Sequence, residues 1–180
     1  MLTKSLQIKA QCYPMIPPLT KRTAMTDSNF LRRVLQEYKT VAMVGLSSDW
    51  SRPSNFVAKY LLDRGFTVIP VNPKNEEILG QKCYPNLESI PVPIDIVDLF
   101  QRSDRVEPFV DSAIQIGAKL VWMQLGVVNE MAALKAQNAG LEVVMNRCPK
   151  IEYARLFGGL NTVGVNTGII SSRRPHIVNR

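Results

Sequence analysis

The sequence predicts a three-layer α/β domain, a doubly wound parallel sheet of five or six strands with helices on both faces. Three observations point there. Short runs such as Val41-Ala42-Met43-Val44 are continuously apolar rather than alternating, as strands are when helices cover both sides of a sheet. Each run breaks at a glycine or a polar turn and is followed by apolar residues at helical spacing. The linkers are mostly short, so strand and helix alternate through right-handed crossovers.

Taken in order, the regular part opens at Asp27, where Phe30, Leu31, Val34, Leu35 and Tyr38 recur at helical spacing. The first strand, from Val41, ends at Gly45. Ser51 is placed to cap the next helix, with Pro53 just inside it, where a missing N–H costs nothing; Phe56, Val57, Tyr60 and Leu61 share its inner face and Gly65 stops it. Thr67–Val71 is the second strand and Asn72-Pro73-Lys74 its turn. Residues 75–93, with Gly80, Pro85, Pro91 and Pro93, read as a loop or one helical turn near Asn86–Ser89. Ile94–Phe100 is the third strand; Ser103 or Asp104 caps a helix that buries Val106, Phe109, Val110, Ala113, Ile114 and Ile116. Lys119–Gln124 is the fourth strand, Asn129 caps a helix ending near Gly140, and Leu141–Asn146 is the fifth. A short helix over Ile151–Phe157 and an edge strand around Val163–Val165 complete the set.

Composition limits the function classes. A 180-residue chain with 46% hydrophobic and 21% charged residues suits one globular domain. No apolar run approaches the roughly 20 residues that span a bilayer, so no membrane partner is expected. The formal charge of +7 sits at the ends: residues 1–40 hold seven basic residues against Asp27 and Glu37, and Arg173, Arg174 and Arg180 follow 41–172, whose balance is −1. A near-neutral body without a basic stripe argues against nucleic acid. Cys12, Cys83 and Cys148 show no metal-ligand spacing and cannot all pair, which fits a reducing, cytoplasmic setting. His176, the single histidine, lies in the polar tail, so a histidine-based triad is unsupported. Residues 1–26 lack acidic side chains, contain Pro14, Pro17 and Pro18, and are expected to form a flexible extension outside the core. They read as a tail or as sequence preceding a start at Met25; an organelle-targeting leader is the weaker reading, given a single arginine. The domain proper is 27–174, with 175–180 as a tail.

In a doubly wound sheet the ligand sits outside the carboxyl ends of the strands. After the first strand come Gly45, Ser47, Ser51, Arg52, Pro53 and Ser54, a strand-to-helix turn whose amides, hydroxyls and guanidinium suit a diphosphate. A dinucleotide site of the NAD type would show G-x-G-x-x-G there and an acidic residue after the second strand. Neither is present: no glycine follows Gly45 until Gly65, and Lys74 stands near the place of the acid. A basic residue there favours a phosphorylated ribose, which NADP and coenzyme A both carry. The missing glycines count against NADP.

The Gly45-Leu-Ser-Ser and Arg52-Pro-Ser loop, Val68-Ile-Pro-Val-Asn-Pro73, Phe100-Gln-Arg102, Val121-Trp-Met-Gln-Leu-Gly126 and Arg147-Cys148 with Ile151-Glu152 occur here in one order. Together they resemble the small stand-alone CoA-binding domain proteins, which are similar to the N-terminal domain of the succinyl-CoA synthetase α subunit. The resemblance spans about 27–174 and implies a Rossmann-like fold with coenzyme A as cofactor. It implies that Gly45, Ser47, Ser51, Arg52, Pro53 and Ser54 hold the pyrophosphate, and that Val71, Asn72, Pro73 and Lys74 flank the adenosine and its 3′-phosphate. Phe100, Arg102, Gln124 and Gly126 would line the pantetheine path, with Asn146, Arg147 and Cys148 near the thiol. Asn146 and Tyr153 replace the Asp and His usual in such proteins, and the synthetase's phosphorylated histidine belongs to a domain absent here.

Other residues have plainer readings. Cys148 is a candidate for a mixed disulfide with the cofactor thiol, but a small buried filler is the simpler role. Trp122 reads as core and Trp50 as a loop aromatic near the ligand. Asp95 and Asp98, three apart in a strand, fall on opposite faces and do not make an acid/base pair. Arg173 and Arg174 read as a solvated tail. The expected function is therefore binding of CoA or acyl-CoA without a catalytic apparatus of its own, with a homo-oligomer or partner subunit as its context. The alternatives are an NADP-linked oxidoreductase or an acyl-CoA transferase or ligase component.

Overall fold

The core strands send alternate residues to opposite faces, and apart from Asp98 the buried residues of both sets are apolar, so the sheet is covered twice. The computed structural model describes residues 27–158. The expected extension 1–26, the edge strand near Val163–Val165 and the tail lie outside them. The elements are α1 Ser28–Glu37, β1 Thr40–Val44, α2 Pro53–Asp63, β2 Thr67–Val71, β3 Glu77–Ile78, β4 Gln81–Lys82, β5 Ile96–Leu99, α3 Glu107–Gln115, β6 Leu120–Met123, α4 Glu130–Asn138, β7 Glu142–Val144 and α5 Pro149–Phe157. The main sheet is parallel, in the order β2-β1-β5-β6-β7. This is the expected Rossmann-like three-layer fold.

Val41, Met43, Val68, Ile96, Leu120 and Trp122 face one side, packed with residues of α1, α2 and α5. Ala42, Val44, Ile69, Val97, Val121 and Met123 face the other, packed with α3 and α4. Trp122 is core, as expected, and its indole N–H donates to the Arg147 carbonyl at 2.7 Å. Asp27 caps α1 by accepting from the Phe30 amide, and Asn129 caps α4 by accepting from the Ala132 amide.

Four local expectations give way. Ser51 does not cap α2: Arg52 occupies the cap position, and the Ser51 hydroxyl donates to Asp49 instead. Ser103 and Asp104 lie in a 3-10 turn, Ser103–Arg105, and Ser103 accepts from the Val128 amide, so α3 starts later without a side-chain cap. Phe56 turns outward, leaving Val57, Ala58 and Leu61 as the buried apolar residues of α2. The stretch between β2 and β5 holds a two-residue antiparallel hairpin, β3–β4, and Tyr84 bridges to Val71. Strands this short leave no periodicity to read.

The order reverses between β1 and β5: the chain goes from β1 outward to β2, then crosses back to β5 on the other side. A crevice opens where such neighbouring strands part company. Gly45 stands at that place with φ +84°, and a Cβ there would meet the Phe100 carbonyl oxygen at 2.6 Å. Gly126 has a similar φ of +87° but nothing within 4 Å of its would-be Cβ. Gly45→Ala is expected to cost roughly 3 kcal/mol in urea unfolding and Gly126→Ala roughly 1 kcal/mol, because only the first adds a backbone collision to the left-handed strain. Equal losses would contradict this account.

Candidate functional site

Three loops meet at the carboxyl edge through backbone and side-chain hydrogen bonds. The Gly45 amide donates to the Val71 carbonyl at 3.1 Å, and the Phe100 amide to the Val44 carbonyl at 3.0 Å. Asn72 donates its side-chain amide to the Leu46 carbonyl at 2.8 Å, while its oxygen accepts from the Lys74 amide at 3.0 Å. Asn72 is thus the tie between the loops after β1 and β2. Asn146, at φ +58°, accepts from the Gly126 amide at 2.8 Å and ties the loops after β6 and β7.

Inside the first loop the polar groups largely satisfy one another. The Ser47 amide donates to the Ser54 hydroxyl and the Asn55 side chain donates to the Ser47 carbonyl. Asp49, which sequence reasoning passed over, accepts from both the Ser51 amide and the Ser51 hydroxyl and lies 3.7 Å from the Arg52 guanidinium. These contacts, the Ser51 hydroxyl first, hold the Asp49 carboxyl below its usual range. Arg52 remains exposed beside it; Arg102 is likewise exposed and forms a two-point pair with Asp104 at 3.1 Å. Both guanidiniums are held by their own loops and both face water.

A cleft of about 610 Å³ lies between the first turns of α2 and α5 and the ends of β5 and β6. Of the expected residues it brings together Pro53, Phe100, Arg102, Gln124 and Cys148. Val57, Gln101, Leu125, Val127 and Ile151, none of them singled out as site residues from the sequence, complete its walls. A second cleft, about 660 Å³, collects Asn72 and Pro73 with Glu76, Glu77 and Lys82. Lys74 is exposed between its neighbours there. The two glutamates bring acid close to the turn after β2, although none follows it directly in sequence. Gly45, Ser47, Ser51, Arg52, Ser54, Val71, Lys74, Gly126, Asn146 and Arg147 line neither cleft. Val71 is buried, and Arg147 is drawn to the buried Glu152 at 2.7 Å, which also accepts from Arg155. Arg147 therefore has a structural anchor. Trp50 is 76% exposed.

Cys148 precedes the first turn of α5 at 7% exposure and lines the cleft. Burial pushes its thiol up; the amides of Ile151 and Lys150 oppose this and nearby Asp98 adds to it. The thiol form is therefore the resting one, as suits a buried filler. Asp95 is where its spacing put it, away from Asp98: it accepts from the Lys39 and Thr40 amides and pairs with Lys119 at 2.7 Å. Asp98 is the important omission. It is fully buried, facing the α5 side between Met43 and Trp122, and burial pushes its carboxyl to about 7 against the opposing hydrogen bond from Gln124. A lone carboxylate inside an apolar strand was the available signal.

This carboxyl should leave a trace in stability. The unfolded chain releases the proton near the ordinary value of 3.8, whereas the folded protein holds it to about 7. Between those limits the native state binds the extra proton, so its contribution to stability falls as pH rises through the window and levels off above it. Asp98→Asn removes that slope. Relative to wild type, urea unfolding should show the variant gaining on the order of 3 kcal/mol between about pH 5 and about pH 8. An unchanged difference between the two would contradict the burial argument.

Known proteins resemble this chain over most of the described residues. A family model described as a CoA binding domain matches residues 39–154. The chain is 38% identical over 124 residues to the uncharacterized protein YneT of Bacillus subtilis strain 168, covering 69% of this chain and 92% of that one. A solved structure of a hypothetical protein from Pyrococcus horikoshii OT3 is 46% identical, with a TM-score of 0.72 over 73% of this chain and 93% of its own. The ADP-forming acetate–CoA ligase I of Archaeoglobus fulgidus is 33% identical over 136 residues, 73% of this chain but 19% of the ligase. The match reaches from the residue before β1 into α5, and so takes in every loop at the carboxyl edge. The chain belongs to the CoA-binding domain family.

Proposed function

We propose that this protein binds coenzyme A or an acyl-CoA at the carboxyl edge of the sheet and supplies no catalytic group of its own. The observation that carries the reading is the cleft beside the strand-order reversal, lined by Arg102, with Arg52 next in sequence to its wall residue Pro53, and within the span that the family match covers. Anionic ligands are favoured there because both guanidiniums remain open to solvent while their partner carboxylates offset only part of the charge. The pyrophosphate lies by Arg52, Ser47 and Ser54, and the 3′-phosphate by Lys74. The pantetheine arm runs along Phe100, Arg102 and Gln124 toward Cys148.

A second reading, a ligase component acting with a partner subunit, draws on the similarity to one-fifth of the Archaeoglobus ligase. The NADP reading has less behind it, since Gly45 has no companion glycine before Gly65. Calorimetry with CoA, dephospho-CoA and NADP separates these. CoA should bind about ten-fold more tightly than dephospho-CoA, the worth of a charge-assisted phosphate contact, and Arg52→Ala should weaken CoA by about ten-fold. Preference for NADP would sink the proposal.

A further inference from the structure

Asp98 touches no solvent and takes no part in gripping a ligand, yet it lies under the cleft next to a residue that does line it. Both of its oxygens accept from a single atom, Nε2 of Gln124, at 2.7 and 2.9 Å. Gln124 is itself 5% exposed and opens onto the cleft. With the nitrogen turned inward, its Oε1 accepts from no described residue. No buried side-chain oxygen or nitrogen lacks a partner among the described residues, so this Oε1 is reached from the cleft. The floor of the cleft therefore offers a hydrogen-bond acceptor.

A protonated Asp98 reverses the demand. Its O–H needs an acceptor, and the Gln124 amide supplies one by turning about its terminal torsion, which exchanges oxygen and nitrogen in nearly the same volume. An N–H then faces the cleft. A free thiol can donate to an acceptor, whereas a thioester carbonyl can only accept. We propose that Asp98, acting through the orientation of the Gln124 amide, decides whether the cleft floor receives the free thiol or the thioester end of the cofactor. This rests on the coenzyme A reading of the same site. Asp98 is a positioning residue here, not a catalytic one.

The setting suits such a device. The neighbours of Asp98 on β1 and β6, Met43 and Trp122, are neutral, and Cys148, with Lys150 beyond it, supplies the titratable and charged groups on the α5 side. Burial brings the Asp98 carboxyl to about 7, so both forms are populated near neutrality.

The test is the affinity of the full chain for CoA and for acetyl-CoA by calorimetry at about pH 5.5 and about pH 8. The preference should move about ten-fold toward acetyl-CoA at the lower pH, the worth of one hydrogen bond gained or left unmade. Asp98→Asn, which cannot ionise and can pair with Gln124 in either sense, should bind both ligands at a ratio independent of pH. In the ligand-free wild type, the Gln124 side-chain amide resonance should shift with a midpoint near 7, a readout that does not depend on any variant folding. Binding of both ligands at a constant ratio, or a stationary Gln124 resonance, overturns this inference alone. Binding of neither ligand at any pH overturns the coenzyme reading and this inference with it.

Discussion

The site depends on the close contact of Gly45 with the Phe100 carbonyl, 2.6 Å from where a side chain would begin. That contact occurs at the reversal of strand order, the one place in a doubly wound sheet where adjacent strands send their following loops in opposite directions. Because β1 lies between β2 and β5, the Gly45 amide reaches Val71 on one side and the Phe100 amide reaches Val44 on the other, and three loops share one anchor. Asn72 then locks the second loop to the first through Leu46. The cleft is what these constraints leave open. Its residues stand on the ends of rigid strands and the first turns of helices, so little ordering remains to be done when a ligand arrives.

Charge is arranged differently from what a run of serines and arginines suggests. Ser51 and Arg52 attend to Asp49, Arg102 to Asp104, and Arg147 to Glu152. The first two pairs are exposed and of modest strength, so an incoming phosphate can compete for the guanidinium. The third has its carboxylate fully buried and fixes the start of α5. The loop after β1 is thus preformed and its positive charge partly neutralised. Beneath it the cleft turns apolar toward Leu125, Ile151 and Cys148, a gradient that suits a ligand charged at one end and plain at the other.

The sheet was readable because burial on both faces writes itself as unbroken apolar runs, and four of the five core strands fall within their expected bounds; the first matches as well from Val41 to Val44. Asn129 capped the expected helix because an Asn before an apolar helix has few other uses. Ser51 and Ser103 show the limit of that logic: a hydroxyl can serve a carboxylate or a distant amide as well as a helix end, and only the fold brings Asp49 or Val128 within reach. Most of the expected site residues lie at the carboxyl edge of the sheet, but which of them face a cleft was not legible, since side-chain direction in a turn has no period. Asp98 was visible as an anomaly in a strand; its pairing with Gln124, 26 positions on, was not. The Glu76–Glu77 pair reached the second cleft through a hairpin too short to announce itself.

The central claim is that ligand binding is confined to the carboxyl edge at the β1–β5 reversal. Backbone amide chemical-shift mapping during titration with coenzyme A tests it most directly. The account predicts perturbations concentrated in the segments Gly45–Asn55, Asn72–Asn75, Phe100–Ser103 and Gln124–Val127, with the opposite edge of the sheet unmoved. Shifts concentrated at the amino ends of the strands, or on the outer faces of α3 and α4, would contradict it.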